Sequence, residues 1–536
     1  MNVAEHLVEF LHRNGTEHLF GVPSGDLLPY MEAMERGKVE FVLVSNEASA
    51  GFMATVYGWL KKVPGACYAT LGPGATNLTT GLGSAMLDRS PVLAFTSEPG
   101  NSMLGRTTQM AVDHQMLMRP LTKWTTRLDP ARTEEILSKA VSIATSEYPG
   151  PVHIGLPGGV GEMQATTADI EAVKRVIPGG ADDAALEDMK RRFAQADQPL
   201  IVAGMGALRL GLGPLISRVA ELHSIPVVLT PMAKGVIDEE HPSYAGVLFH
   251  ALSDRVAETH QKADMIIGVG YDPVEFNYEQ WMPEVPLLDL DTVPADIDPL
   301  RYTEVLNVVG HPGAALLALS TMDPIHTGWD MQALSKRRED IFAAFTPKEE
   351  SFGPAAVLEG LRAALPVNGI MTCDVGSHTH LIGQAWKTHL PYRQLMTNGW
   401  SSMGFGVPAA IGAKIAEPNT PVACITGDGG FLMMAGEMAT ARRLGMNIVF
   451  IVLADQNLQL IRLKQEKRGK KTNGTILNSP EQPVASSVFG VPVVSVDNQK
   501  RFREALEQAF KTSGPIIIEA RINPSEYKSL ILRKHR

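Results

Sequence analysis

The sequence predicts an α/β protein of three domains, each a mainly parallel sheet flanked by helices. Three observations predict it. Short apolar runs of strand length alternate with segments of helical periodicity along most of the chain. Glycine and proline are plentiful, 49 and 36 residues, and they gather where strands give way to helices. The chain of 536 residues also exceeds what one core holds, since chains beyond ~250–300 residues split into domains.

The elements follow in order. Val3, Leu7, Val8, Phe10 and Leu11 recur at helical spacing, and Gly15 ends that helix. Residues 18–23 form a short strand running into a turn, 39–44 a strand, 48–61 a helix and 66–71 a strand. Gly72-Pro73-Gly74 is a turn before a helix from Thr76, and 91–96 is the next strand. Pro178-Gly179-Gly180 marks a boundary. A charged helix follows, then strands at 199–204, 225–229 and 265–270. The polar stretch 330–350 reads as a connecting helix and linker, and strands return at 370–373, 421–426, 447–453 and 515–519. The domains are therefore expected at 1–178, 185–325 and 345–536. Apolar strands joined by helices call for parallel pairing.

Composition excludes several classes. Forty-eight Lys and Arg against 58 Asp and Glu leave a formal net charge of −10, without the basic surplus of a nucleic-acid or anionic-membrane binder. With 44% hydrophobic residues the chain has the material for several cores. No apolar run reaches the ~18–20 residues of a membrane span. The first residues show no basic segment leading into an apolar one. Cys67, Cys373 and Cys424 lie far apart and form neither a disulfide framework nor a zinc pattern, so a reducing cytoplasm is the expected location.

The strongest site is in the last third. A buried strand at 421–426 runs into the turn Gly427-Asp428-Gly429-Gly430, and a helix at 431–444 is closed by Gly445. The strand 447–454 then ends at Asp455-Gln456-Asn457. Parallel strands joined by a helix bring both turns to the carboxyl edge of the sheet. Asp428 and Asp455 can therefore meet on one cation, while glycine amides and a helix N-terminus face an anion. Two carboxylates beside a phosphate describe Mg²⁺ holding a diphosphate. Gly-Asp-Gly alone is a common turn; the second acid at the same edge is what turns it toward metal binding.

These residues resemble the thiamine-diphosphate-dependent enzymes of the acetolactate synthase and pyruvate oxidase type, whose signature is Gly-Asp-Gly followed about two dozen residues later by Asn or Asp. The resemblance spans nearly the whole chain. It includes Gly21-Val22-Pro23, Glu47, Gly72-Pro73-Gly74-Ala75-Thr76-Asn77, Pro120-Leu121-Thr122-Lys123 and Met403-Gly404-Phe405-Gly406. The stretches 427–432, 270–276 and 465–467, with Asp at position 455, are similar to the catabolic, flavin-independent acetolactate synthases in particular.

The resemblance implies a thiamine-diphosphate-binding fold with a Rossmann-like central domain. It implies thiamine diphosphate and Mg²⁺, the metal held by Asp428, Asp455 and the backbone carbonyl of Asn457. Gly427, Gly429, Gly430, Leu458, Gln459, Gly376, Ser377 and His378 match the region around the diphosphate. Met403 matches the apolar side chain that bends the cofactor, and the Ser401 backbone the acceptor of its amino group. Glu47 matches the glutamate that hydrogen-bonds the aminopyrimidine and promotes its imino form, with Pro23, Pro73 and Asn77 facing the same ring. Gln109 or His114 is expected as the polar group over the thiazolium. Arg462 or Lys464, where relatives carry other residues, is expected to meet an anionic substrate group, against the plainer reading of a solvated basic helix face.

The implied activity is decarboxylation of a 2-oxo acid, pyruvate by default, and transfer of the remaining two-carbon unit to a second 2-oxo acid. A decarboxylase that does not ligate is the alternative, and an FAD-dependent oxidase is a further one. Gly204-Met205-Gly206 and Gly268-Val269-Gly270 resemble a flavin-binding domain, but Tyr271-Asp272-Pro273 is similar to the flavin-free branch, so FAD is not expected. Glu47 and Asp428 fall in different domains. In the resembled family such domains meet across subunits, which implies a homodimer or homotetramer.

Overall fold

The computed structural model describes residues 1–166, 169–275, 281–294, 296–348, 351–477 and 485–531. Phe276, the last residue of one stretch quoted above, lies outside them. The first sheet holds β1 (His18–Gly21), β2 (Glu40–Leu43), β3 (Gly65–Ala69), β4 (Val92–Glu98), β5 (Trp124–Arg127) and β6 (Pro151–Pro157), in the order β2-β1-β3-β4-β6-β5. The second holds β7 (Pro199–Ala203), β8 (Val227–Leu229), β9 (Tyr244–Val247), β10 (Met265–Val269), β11 (Leu287–Asp291) and β12 (Val305–Val309), ordered β12-β11-β10-β7-β8-β9.

The third sheet holds β13 (Ile370–Cys373), β14 (Gln394–Leu395), β15 (Val422–Gly427), β16 (Ile448–Ala454), β17 (Ser487–Val488), β18 (Val491–Val496) and β19 (Ile516–Arg521), ordered β14-β13-β15-β16-β19-β18-β17. Among the described strands all pairing is parallel except the terminal β17–β18 hairpin. This is the three-sheet α/β architecture the sequence predicts.

The strand orders locate two crevices. In the first sheet the chain leaves β1 for β2 on one side and returns to β3 on the other. In the third it leaves β13 for β14 and returns to β15. Where the order reverses, the loops diverge and open a crevice at the carboxyl ends of the strands, the usual ligand position in such sheets.

Three boundaries near the site differ from the sequence reading. The helix expected from Thr76 starts at Pro73 and runs to Leu87. Proline suits a first helical position, because its fixed φ fits the helix and its missing N–H would be unpaired there anyway. The residue before it, Gly72, has φ +65°, and a Cβ there would lie 2.6 Å from the Met110 carbonyl, so only glycine fits. The Gly427–Gly430 turn is tighter than expected: β15 reaches Gly427, and a helix starts directly at Asp428 and ends at Met434, with a second at Glu437–Arg443.

The helix Glu47–Lys61 begins one residue earlier than expected. Asn46 caps it by accepting from the Ala48 amide at 2.8 Å. Its far side packs on the helix Gly406–Ala416 of the third unit, where Phe52 and Phe405 meet edge-on with centroids 5.5 Å apart. One buried apolar cluster runs through this contact, from Phe52 and Met53 to Ile411 and Phe450. Another joins the second sheet to the third through Val202, Ile266, Leu361 and Ile451. These shared cores fix the carboxyl edges relative to one another. Among the described residues no helix is long and apolar enough to cross a membrane.

Candidate active site

The crevice between β13 and β15 is a pocket with a cavity volume of about 140 Å³. Asp428 and Asp455 stand on its floor. Asp428 is the first residue of its helix, so its carboxylate sits at the positive end. Its Oδ2 accepts the Gln456 amide at 2.6 Å, and its Oδ1 accepts the Gly429 amide at 2.9 Å. Asp455 Oδ1 accepts the Asn457 amide at 3.1 Å. The first acid thus ties together the two loops that the sequence places at one edge. Burial pushes Asp428 up to about 6. Burial, and then the charge of Asp428, push Asp455 up to about 7. Two carboxylates held together in this way are relieved by a cation between them.

The rest of the pocket fits a diphosphate. Ser377 Oγ, His378 Nε2, Asn457 Oδ1 and Gln459 Oε1 are buried polar atoms without a hydrogen-bond partner among the described residues, and all four residues line this pocket. The helix Ser377–Ala385 points its N-terminus into the same space. Gly376, Gly427, Gly429 and Gly430 keep the walls low; a Cβ at Gly430 would lie 2.6 Å from Asp374 Oδ2. Met403 and Leu458 are also on the wall.

Asp374 was not among the expected residues. It is fully buried and accepts from the Val375 amide at 2.6 Å, the Gly404 amide at 2.8 Å and the Thr426 hydroxyl at 3.0 Å. It therefore fastens the loop carrying Met403 to the end of β15. Burial raises its pKa to about 6.

The first and second units brace the segment before Met403. Asp88 accepts the Thr397 hydroxyl at 2.5 Å and the Gly399 amide at 2.9 Å. Asn398 donates to the Glu275 carbonyl at 2.5 Å, and the Trp400 indole donates to the Thr80 hydroxyl at 2.9 Å. Within this segment Ser401 holds φ at 51°, a left-handed conformation that serine adopts only under constraint.

The crevice of the first sheet brings Glu47 and Asn77 together. Glu47 is 8% exposed, and its Oε2 accepts from Asn77 Nδ2 at 3.1 Å. Gly74 lies against its Oε1. Pro23, Pro73 and Asn77 are exposed. None of these residues is among those lining the Asp428 pocket. Gln109 is exposed, whereas His114 is buried at 2% with both ring nitrogens bonded, not a surface histidine. Arg462 is turned to Glu466 at 3.1 Å and Lys464 is exposed; neither lines the pocket, whose wall from that helix is Gln459, Leu460 and Ile461.

Three family models match the chain in order. They are described as the N-terminal TPP binding domain (residues 1–118), the central domain (186–319) and the C-terminal TPP binding domain (374–520) of the thiamine pyrophosphate enzymes. Among similar proteins, the probable acetolactate synthase large subunit of Methanocaldococcus jannaschii is 30% identical over 98% of this chain and 93% of its own. The acetolactate synthase of Arthrospira platensis is 31% identical over 97% and 94%. The acetolactate synthase isozyme 2 large subunit of Escherichia coli is 28% identical over 98% and 96%. With that coverage from end to end, and the paired acids and unpartnered polar groups of the crevice lying inside the C-terminal match, the chain belongs to the thiamine-pyrophosphate-dependent enzyme family, among its acetolactate synthase-like members.

Proposed function

We propose that this enzyme decarboxylates a 2-oxo acid, pyruvate by default, and joins the remaining two-carbon unit to a second 2-oxo acid. One observation carries the reading: paired acids and a phosphate cradle occupy the reversal point of the third sheet, and Glu47 occupies the equivalent point of the first. In this reading Mg²⁺ is held by Asp428, Asp455 and the Asn457 carbonyl, and Ser377, His378 and Gln459 receive the diphosphate.

Thiamine diphosphate, when bound, supplies a nucleophilic carbon that attacks the 2-oxo group and keeps the electron pair released as CO2 leaves. The chain's own residues do the rest. Asn77 holds Glu47 Oε2, which leaves Oε1 to exchange a proton with the aminopyrimidine ring. Met403, braced through Asp374 and Asp88, would support the bound cofactor, and the Ser401 backbone would accept from its amino group.

We further read the boundaries as 1–178 for the pyrimidine side, 185–325 for the central domain and 345–536 for the diphosphate side. The active assembly is a homodimer or homotetramer. The pocket's walls all come from the third unit, while Glu47, Pro73 and Asn77 stand apart on the first, as expected if a second subunit completes each site. The three cysteines are buried and unpaired, which suits the cytoplasm.

The central domain argues against FAD. Glu275 is fully buried; its Oε1 accepts the Met205 amide at 3.0 Å and the Thr230 hydroxyl at 2.7 Å, and its Oε2 accepts the Met232 amide at 3.0 Å. These donors follow the Gly204 turn and the end of β8, where a dinucleotide phosphate would seek them, and the chain's own carboxylate takes them. Flavin absorption in the purified protein would contradict this.

The test of the function is the product balance from pyruvate with thiamine diphosphate and Mg²⁺. One acetolactate and one CO2 for every two pyruvates is the expected result. CO2 with acetaldehyde would instead establish the non-ligating decarboxylase.

A further inference from the structure

A run of hydrogen bonds crosses the carboxyl edge of the first sheet behind the Gly72-Pro73 turn. The Gly72 amide meets His114 Nε2 at 3.1 Å. His114 Nδ1 meets the Thr96 hydroxyl at 2.8 Å, and that hydroxyl meets His153 Nε2 at 2.7 Å. His153 Nδ1 meets the Thr125 hydroxyl at 2.7 Å, which reaches Gln115 Oε1 at 2.8 Å. Gln115 Nε2 reaches Glu98 Oε1 at 2.6 Å and the Thr126 carbonyl at 3.0 Å. Glu98 Oε2 ends on Arg127 Nε at 2.8 Å.

Every proton in this run is determined from its two ends. A backbone amide can only donate, so His114 Nε2 accepts, and a neutral His114 carries its proton on Nδ1. At the other end a carbonyl and a carboxylate can only accept, so the Gln115 amide nitrogen faces them and its oxygen faces Thr125. Thr125 must then give its one proton to Gln115. That makes His153 Nδ1 the donor to Thr125 and leaves His153 Nε2 to accept from Thr96. Thr96 in turn accepts from His114. Both ends impose one direction, with no donor facing a donor. Glu98, His114 and His153 can each place one atom within 4.8 Å of the others, but both ring nitrogens of each histidine are already spent in this chain.

The amide at the donating end belongs to the residue that opens the helix Pro73–Leu87, and that helix carries Asn77, the partner of Glu47. We propose that His114 is a positioning residue, held as the neutral Nδ1–H imidazole by this one-way chain, and that it fixes the Gly72 amide and through it the Asn77–Glu47 pair. The proposal rests on the functional reading above for what Glu47 does, and on the chain's geometry alone for its own state.

Protonating His114 would set two donors face to face at Gly72, and protonating His153 would take away the acceptor of the Thr96 hydroxyl proton. Burial opposes it: His114 is lowered to about 4 against the pull of Asp113, and His153 to about 3 by burial and by His114. The charged groups around the pair are Asp113 at the cap of the helix His114–Met118, and Glu98 with Arg127 at the far end.

The test has two arms. In the full-length protein without cofactor, labelled with ¹⁵N-histidine and assigned by His114→Gln and His153→Gln, both rings should show the Nδ1–H tautomer. Neither should titrate above pH ~5. An Nε2–H tautomer at His114, or titration near 6.5, overturns the proposal. In protein loaded with thiamine diphosphate and Mg²⁺, Thr96→Val cuts the chain at its centre without changing shape. Deuterium exchange of the cofactor's reactive C–H, read by quenched-flow NMR, should slow about tenfold, and Thr96→Ser should restore it. Exchange in Thr96→Val equal to wild type overturns the positioning role. Failure of the functional reading shows separately, as absence of thiamine diphosphate binding by the wild-type protein.

Discussion

Glu47→Gln is expected to lower turnover by about 10²–10⁴-fold, the range for losing a positioned acid–base group, while leaving the fold intact. Glutamine keeps the size of the side chain and an oxygen that can still accept from Asn77, so the start of the helix Glu47–Lys61 is not disturbed. What is lost is the capacity to exchange a proton at Oε1. The contrast between steps is the informative part. Binding of thiamine diphosphate and Mg²⁺ should change little, because the residues proposed to hold the metal and diphosphate are in the third unit, whereas exchange of the cofactor's reactive proton should fall with turnover. Parallel measurement of cofactor affinity, C–H exchange and pyruvate consumption checks this. A variant with unchanged exchange would place the proton transfer elsewhere.

Asp428→Asn is expected to weaken Mg²⁺-dependent cofactor binding by more than ~100-fold, beyond the 10–100-fold cost of losing an outer partner of a metal ligand. Asp428 also holds the Gln456 amide, so the substitution loosens the Asp455 loop as well as removing a charge. The pH dependence has a definite sign. Folded Asp428 and Asp455 hold their protons up to about 6 and about 7, above the ordinary 3.8, so unfolded chains lose these protons first. The protein without cofactor therefore loses stability as pH rises from about 4 to about 7. Cation binding, which needs both groups ionised, strengthens over the upper part of that window.

Mixing the two inactive variants adds a test of the assembly. If one subunit supplies Glu47 and its partner supplies Asp428, co-refolded mixtures regain activity through dimers in which one site is intact. If both come from one chain, they regain none.

Much of the third unit could be read from sequence because its signals are local. Asp428 and Asp455 end two consecutive apolar strands, and strand–helix–strand geometry carries both to one edge. Glu47 could be located by its place after a strand, though its role came only from the resemblance. Residues whose partners come from distant segments could not be read. Asp374 looks like an ordinary strand-end acid until Gly404 and Thr426 are seen to converge on it. Glu275 becomes informative only when Met205 and Met232 are folded around it, and His153 only when β4 and β5 flank it.

The strands not anticipated have a similar explanation. Trp124–Arg127 is polar and half-buried along its length. Leu287–Asp291 carries two acids that are buried in the sheet, against ordinary strand composition. Gln394–Leu395 is only two residues long. The misplaced start of the helix Pro73–Leu87 came from reading Gly-Pro-Gly as turn residues, when the proline is the first helical residue.

In the proposed function the crevice between β13 and β15 holds thiamine diphosphate on a cation gripped by Asp428 and Asp455. Calorimetric titration of the purified protein with thiamine diphosphate, with and without Mg²⁺, tests it most directly, in the wild type and in Asp428→Asn. One cofactor per chain, bound only with the cation and lost in the variant, is the predicted result. Binding that ignores the cation or survives the loss of Asp428, or no binding at all, would contradict it.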